Sequence, residues 1–153
     1  MVTTAVERVF VDTNVLVHCS LRQSPWHPAA IQALHGCIQA GGELWLSRQV
    51  LREYIAVLTR PGTTTLTSPA LTAAADVAAF EKMFHVADET FAVTEKLLAL
   101  VRSISVGGKQ VHDANIVATM QAYGITRLLT HNVADFARFG ALITVDPLVP
   151  TRI

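Results

Sequence analysis

The sequence has little charge and only two cysteines, and each scarcity excludes a class of protein. Charged residues make up 16% of the 153 positions and hydrophobic residues 51%, which excludes a disordered chain because this much apolar surface must be buried. Twelve basic residues balance twelve acidic ones, so no global field draws the chain to nucleic acid or to an anionic membrane. Cys19 and Cys37 form no CxxC pair, which favours a reducing compartment and two small buried apolar side chains.

Long apolar runs, targeting segments and linkers are missing too. No stretch reaches the roughly 18 uninterrupted apolar residues of a membrane span, because Asp, Glu, Arg or His interrupts every candidate. Residues 1–8 lack the basic-then-apolar order of a signal peptide. We therefore expect a cytoplasmic protein with no membrane partner, and a single domain over residues 1–153.

No glycine-rich phosphate loop is present. The sequence Gly107-Gly108-Lys109 lacks both the spacing of a P-loop and the Ser or Thr that follows its lysine. Internal repeats are absent as well. These absences argue against a nucleotide-cofactor enzyme.

The apolar pattern alternates between strand-like and helix-like segments. Short β-branched or aromatic runs predict strands at 9–11, 44–46, 85–87, 127–130 and 142–145. Helical spacing and capping residues predict helices at 29–39, from Ser47 to 58, at 69–83, from Thr90 to 101, at 111–123 and near 134–138. A further apolar stretch lies at 15–17. This alternation predicts an α/β fold, a three-layer α/β/α sandwich around a mainly parallel sheet.

Four acidic residues follow the predicted strands. Asp12 ends the first strand, Glu53 lies on the helix after the second, Asp113 lies at the start of the helix after Gly107-Gly108, and Asp135 follows the fourth strand. Ligands of open α/β sheets bind beyond the carboxyl ends of the strands. Carboxylates brought together there raise one another's pKa or require a cation between them. Oxygen ligands favour a hard cation such as Mg²⁺ or Mn²⁺, with coordination positions left for phosphate oxygens, as a nuclease requires.

Each acid also has a purely structural alternative. The alternatives are a strand-ending turn for Asp12, a solvated surface charge for Glu53, a helix N-terminal acid for Asp113, and a capping box with Asn132 for Asp135. The neighbours Thr13 and Asn14 favour the functional interpretation of Asp12, since both can hydrogen-bond a carboxylate or cation-bound water. Residue types alone leave both interpretations open.

Four motifs together resemble a PIN-domain ribonuclease, and within that family the VapC-type toxins. They are VFVDTNVL at 9–16, QVLREY at 49–54, HDA at 112–114 and LLTHNVADF at 128–136. The resemblance covers essentially the whole chain and implies a sheet of order 3-2-1-4-5 with an acidic pocket of Asp12, Glu53, Asp113 and Asp135. Thr13, Asn14, Thr130 and Asn132 match the supporting polar positions. A departure is Asn115, where family members often have an apolar residue.

The resemblance also implies an activity and partners. It implies an endoribonuclease that uses Mg²⁺ or Mn²⁺ to hydrolyse phosphodiester bonds in tRNA or rRNA, and that is inhibited by a cognate antitoxin protein. The high apolar fraction favours a homodimer. Candidates for contacts to RNA phosphates are Arg22, Arg48, Arg52, Lys109 and Arg138.

Two alternatives belong to other functional classes. A phosphotransferase of the haloacid-dehalogenase type needs a second Asp two residues after the first, where this chain has Asn14. A catalytically inactive PIN-fold module for RNA binding or assembly would use the acids structurally. That alternative gives no reason for all four acids to match the motif order.

Overall fold

The computed structural model describes residues 3–151, which form five strands, six α-helices and one 3-10 helix. The strands are β1 (Arg8–Val11), β2 (Glu43–Ser47), β3 (His85–Ala87), β4 (Arg127–Thr130) and β5 (Thr144–Pro147). The α-helices are α1 (Thr13–Ser20), α2 (His27–Gln39), α3 (Arg48–Leu58), α4 (Pro69–Met83), α5 (Phe91–Ser103) and α6 (Gln110–Ala122). The 3-10 helix spans Val133–Phe139.

The five strands form one parallel sheet in the order β3-β2-β1-β4-β5. Strand β1 is central, and its Phe10 pairs with Trp45 on one side and Leu128 on the other. Helix α1 packs against α2 and α3, α3 packs against α4, and α5 packs against α6. The predicted α/β class and strand order are confirmed, and the carboxyl ends of all strands lie along one edge.

Most predicted elements form within a few residues of their predicted bounds. Ser47 caps α3 as predicted, because its hydroxyl accepts a hydrogen bond from the Val50 amide at 3.3 Å. Helix α4 spans the predicted residues 69–83. Helix α1 covers the apolar stretch 15–17, for which the pattern predicts no element.

The last strand and the last helix differ from their predictions. Strand β5 begins at Thr144, two residues later than predicted, because the Leu142 and Ile143 amides donate to the Phe139 carbonyl at 2.8 and 3.2 Å and hold a turn. Ile143 is nevertheless buried. Its apolar side chain therefore packs into the core from a turn and not from a strand. The predicted helix near 134–138 forms as a 3-10 helix.

The two cysteines are free thiols. Both side chains are partly buried, and thus less buried than predicted. Burial raises the pKa of Cys19 to about 12, which keeps this thiol protonated and unreactive at neutral pH. Trp26 and Trp45 are partly buried and pack against the core. Across residues 3–151, no helix is both long and apolar enough to cross a bilayer.

Candidate active site

The four predicted acids lie around one cavity of about 360 Å³ at the carboxyl edge of the sheet. Four different segments supply them: the end of β1, helix α3, helix α6 and the 3-10 helix after β4. Three of the four predicted supporting residues, Thr13, Asn14 and Asn132, also line this cavity. The fourth, Thr130, is fully buried and hydrogen-bonds Asp12 at 2.9 Å. The fold therefore brings together residues that lie up to 123 positions apart in the sequence.

Asp12 is the most buried of the acids, with 6% of its surface exposed. Its Oδ1 accepts a hydrogen bond from the Thr13 amide at 2.8 Å, as the N-cap of α1. Its Oδ2 accepts from Asn14 Nδ2 and Thr130 Oγ1, each at 2.9 Å. Burial raises the pKa of Asp12, and the hydrogen bonds from Thr130 and Thr13 oppose part of that rise. Three donors thus fix a carboxylate that is largely removed from water.

Glu53 is held from both sides. Its Oε2 accepts a hydrogen bond from Thr13 Oγ1 at 3.0 Å, and its Oε1 accepts from Gln49 Nε2 at 2.8 Å. Glu53 is therefore more than the solvated surface charge of the structural alternative. Gln49 was not predicted as a site residue, since one helical turn separates it from Glu53 and many surface side chains share that spacing.

Asp113 and Asp135 complete the acidic cavity. The Asp113 carboxyl is half-buried, and its pKa rises from 3.8 to about 6 because of burial and the neighbouring carboxylates of Asp135, Asp12 and Glu53. Among the described residues, its side chain makes no hydrogen bond to another group. Asp135 is exposed at the rim. The positive charge of Arg138 offsets only part of this repulsion between carboxylates.

The structural alternative for Asp135 is wrong in one respect, because no capping box forms with Asn132. Asn132 occupies the N-cap position of the 3-10 helix, yet its side chain accepts no capping hydrogen bond. Its backbone amide instead donates to Thr130 Oγ1 at 3.0 Å. The Asn132 side chain is exposed at the cavity and is free to contact a ligand.

The acids suit a divalent cation by their chemistry. Every salt bridge within residues 3–151 lies elsewhere, so no Lys, Arg or His pairs with any of the four carboxylates. No three His, Cys, Asp or Glu side chains in this range converge closely enough to enclose an ion by themselves. Mg²⁺ usually takes one or two carboxylates directly and retains several waters, so this open set of oxygen donors fits Mg²⁺ or Mn²⁺ with bridging water.

The five predicted phosphate contacts differ in their surroundings. Arg48 is paired with Asp88 at 3.1 Å, and Arg52 with Glu89 at 3.1 Å. Arg138 donates to the Ser105 carbonyl and to Gln110 Oε1, and its charge lowers the pKa of Asp113. Arg22 lines a neighbouring cavity, and Lys109 is exposed just before α6. None of the five lines the acidic cavity.

Two polar residues that line the acidic cavity, Arg60 and His18, were not predicted from the sequence. Arg60 lines it two residues after α3 and makes no salt bridge among the described residues. His18 lines it from α1, and its ring contacts that of His131 with centroids 5.1 Å apart. The sequence offers a reason to consider Arg60 only, because this residue closely follows the helix that carries Glu53.

Comparison with known proteins gives a consistent result. The PIN domain family model matches residues 9–142. Ribonuclease VapC48 of Mycobacterium tuberculosis is 29% identical over 140 residues, which cover 89% of this chain and 94% of that relative. Ribonuclease VapC24 of the same organism is 26% identical over 140 residues, covering 90% and 95%.

Solved structures show the same fold at lower identity. Mycobacterium tuberculosis VapC20, described as a sarcin-ricin loop cleaving toxin, superposes with a TM-score of 0.64 at 19% identity, covering 89% of this chain and 96% of that one. VapBC2 from Rickettsia felis, bound to a promoter DNA fragment, superposes with a TM-score of 0.65 at 17% identity, covering 92% and 98%.

Proposed function

This chain belongs to the PIN domain family, and from that premise we propose that it is a metal-dependent endoribonuclease, the toxin of a toxin–antitoxin pair. The observation that carries the proposal is the set of four carboxylates around one cavity, with no cation of residues 3–151 paired to them. Relatives named as ribonucleases over nearly their whole length support the same reaction class. We also propose that residues 1–153 form one domain and that it acts in the cytoplasm.

The chemistry follows from the positions of the side chains. A bound Mg²⁺ or Mn²⁺ would lower the pKa of an attacking water and offset negative charge at the phosphate. Asp12, Glu53, Asp113 and Asp135 would hold the ion, with Asp12 and Glu53 already oriented by hydrogen bonds. Asn14 and Thr130 keep Asp12 in place. Arg60, in the same cavity, would contact a phosphate of the RNA.

We propose tRNA or rRNA as the substrate, cut by hydrolysis of one phosphodiester bond. Water attacks phosphorus opposite the leaving oxygen, which leaves a 3′-hydroxyl on one fragment and a 5′-phosphate on the other. The structural neighbour described as a sarcin-ricin loop cleaving toxin supports an RNA substrate. Arg22, Lys109 and Arg138 are the more available of the predicted phosphate contacts, because acidic side chains already pair with Arg48 and Arg52.

We also propose two protein partners, an antitoxin and a second copy of the chain. Neighbouring structures that contain toxin–antitoxin complexes support the antitoxin. Large apolar side chains such as Phe91 and Leu71 are 78% and 72% exposed, and a partner would cover such surface. Light scattering after size-exclusion chromatography tests the homodimer, and a monomer at micromolar concentration would contradict it.

A cleavage assay on RNA tests the nuclease. Purified chain is incubated with total RNA in EDTA, Mg²⁺ or Mn²⁺, and compared with Asp113→Asn and with the control Glu95→Gln. The Asp113 side chain makes no hydrogen bond within residues 3–151, and Glu95 is an exposed acid on α5, so both variants should fold. We expect discrete metal-dependent fragments that Asp113→Asn abolishes and Glu95→Gln retains.

Two results would contradict the proposal. Equal cleavage by Asp113→Asn and wild type would indicate a contaminating nuclease. RNA binding without cleavage by the folded, antitoxin-free wild type would instead support the inactive RNA-binding module.

A further inference from the structure

We infer that Gln49 is a positioning residue that fixes Glu53 relative to Asp113 and thereby sets the geometry in which the acidic cavity binds a divalent cation. This inference rests on the proposed function. The inference is based on the hydrogen bonds of the buried Gln49 side-chain amide. They connect it to Glu53 and to the residue directly before Asp113.

The Gln49 amide uses both of its ends. Gln49 lies in the first turn of α3 and is 4% exposed. Its Nε2 donates to Glu53 Oε1 at 2.8 Å and to the backbone carbonyl of His112 at 2.9 Å. Its Oε1 accepts from Asn115 Nδ2 at 2.7 Å. His112 directly precedes Asp113, so Gln49 links one acid to the backbone that carries another.

Only one orientation of this amide satisfies its neighbours. A carboxylate and a backbone carbonyl can only accept hydrogen bonds, so both require the NH₂ end of Gln49. The Asn115 amide donates to the opposite, carbonyl end. A flipped Gln49 would place its oxygen against Glu53 and the His112 carbonyl, and would lose the bond from Asn115. Asn115, the polar departure noted in the sequence, thereby locks the donor toward the acidic cavity.

The result is a carboxylate held between three helices. Thr13 on α1 holds Oε2 of Glu53, and Gln49 on α3 holds Oε1. Through the His112 carbonyl, Gln49 also ties this pair to α6. Loss of the amide would free Glu53 on one side and loosen the spacing between α3 and α6 at the acids. Residues that orient metal ligands in this way contribute about tenfold to a hundredfold in metal affinity or activity.

A purely architectural role for Gln49 is not needed at this position. Ser47 already caps α3, through its bond to the Val50 amide. Apolar side chains on the same helix, among them Val50, Tyr54 and Leu58, supply its contact with the core. Packing alone would be served as well by a methionine of similar length, so the amide serves hydrogen bonding.

The test compares Gln49→Met with wild type and with the control Gln121→Met. Gln121 is a half-buried amide on α6 whose side chain makes no hydrogen bond within the described part of the chain. Mn²⁺ binding is measured by calorimetry, and kcat and KM on the cleaved RNA are measured alongside. We expect Gln49→Met to raise the Mn²⁺ dissociation constant about tenfold to a hundredfold and to lower kcat with KM unchanged. Mn²⁺ binding and kcat equal to wild type would overturn the inference.

A second variant and a double mutant separate positioning from general damage. Asn115→Leu should weaken Mn²⁺ binding in the same direction by a smaller factor, and it decides the question if Gln49→Met does not fold. Because Gln49 acts through Glu53, Gln49→Met should add less than a further twofold loss in a Glu53→Gln background. If the loss of Mn²⁺ affinity in the double variant equals the product of the losses in the two single variants, the inference is overturned.

The proposed function and this inference can fail separately. A wild-type chain that binds Mn²⁺ but cleaves no RNA would contradict the nuclease, while Mn²⁺ binding by Gln49→Met would still decide the role of Gln49. A wild type that binds no Mn²⁺ would overturn both.

Discussion

Among single residues, Asp113 couples the acidic cavity to stability most directly. Burial and three neighbouring carboxylates raise its pKa from 3.8 to about 6. Between these pH values the folded chain holds a proton that the unfolded chain has released, so the stability of the fold falls as pH rises through this window. Above the window the carboxylate is charged in both states, and the full cost of its repulsion is present.

Asp113→Asn should therefore stabilise the metal-free protein in a pH-dependent way. In EDTA at pH 8, we expect a higher melting temperature than wild type, because the substitution removes the repulsive charge. The gain should shrink towards pH 4, where wild-type Asp113 is itself protonated in the folded chain. Thermal melts over this range measure it, with Glu95→Gln as the control. A gain that is the same at every pH would contradict the assignment of the raised pKa to Asp113.

Thr130 gives a second prediction at this scale, because its hydroxyl joins three groups of the site. It donates to Asp12 at 2.9 Å and accepts from the Asn132 amide and Asn14 Nδ2 at 3.0 and 3.1 Å. Thr130→Val keeps the shape, removes these bonds and should cost about 2–3 kcal/mol of unfolding free energy. Urea titration measures the loss.

Thr119→Val is the matched control for Thr130→Val. Thr119 is equally buried, but its hydroxyl bonds only the Asn115 carbonyl one turn earlier, at 2.8 Å. We expect a loss of about 1 kcal/mol there. Equal losses at the two threonines would show that the bonds around Asp12 contribute no more than an ordinary helical hydroxyl.

At the scale of elements, two glycines have opposite requirements: Gly36 lies within α2, and Gly42 lies in the connection from α2 to β2. A Cβ on Gly42 would lie 2.7 Å from Cys37 Sγ, 3.0 Å from the Cys37 carbonyl oxygen and 3.1 Å from that of Glu7. Gly36, exposed within α2, has no atom within 4 Å of the same position. Gly42→Ala should therefore destabilise by about 1–3 kcal/mol through overpacking, whereas Gly36→Ala should stabilise by about 0.5–1 kcal/mol through helix propensity.

Urea unfolding of both alanine variants checks this pair. The opposite signs make each variant the control for the other, since composition changes identically. A loss from Gly36→Ala would mean that helix propensity at this position of α2 does not limit stability. No loss from Gly42→Ala would mean that small shifts relieve the close approach there.

The residues at which helices and strands begin and end show which structural features local sequence can predict. Ser47 and the glycines after α2 are local signals, and the helices beside them form as predicted. Leu142 and Ile143 were predicted as strand because they are apolar, although a turn held by the Phe139 carbonyl places them. Helix α1 was missed because Thr13, Val15 and Val17 are β-branched residues with low helix propensity, and the Asp12 cap and core burial outweigh that preference.

At the scale of the whole molecule, the site was predictable where it follows the strand order. The four acids come from segments that parallel strands bring to one edge, so spacing and sheet type suffice to bring them together. Gln49 and Asn115 were not predictable, because their bond joins α3 to α6 across 66 positions. The same limit applies to the cations: Arg48 and Arg52 gain acidic partners only in the folded chain.

The distribution of paired and free cations leads to a prediction about RNA binding. Because net charge is zero, affinity must come from a few local phosphate contacts rather than from the overall field. Arg60 lies at the acidic cavity without a salt bridge in the described range, whereas Arg52 is held by Glu89. In an Asp113→Asn background that binds without cutting, Arg60→Ala should weaken binding to single-stranded RNA and reduce the salt slope of log Kd by about 0.7.

Fluorescence anisotropy across a KCl series, with Arg52→Ala as the matched control, measures this difference. Removing Arg52 frees the Glu89 carboxylate and leaves the acidic cavity untouched, so its effect on the slope should be close to zero. A larger loss from Arg52→Ala than from Arg60→Ala would mean that RNA displaces Glu89 from its ion pair. The binding surface would then run along the exposed side of α3 instead of entering the cavity beside Arg60.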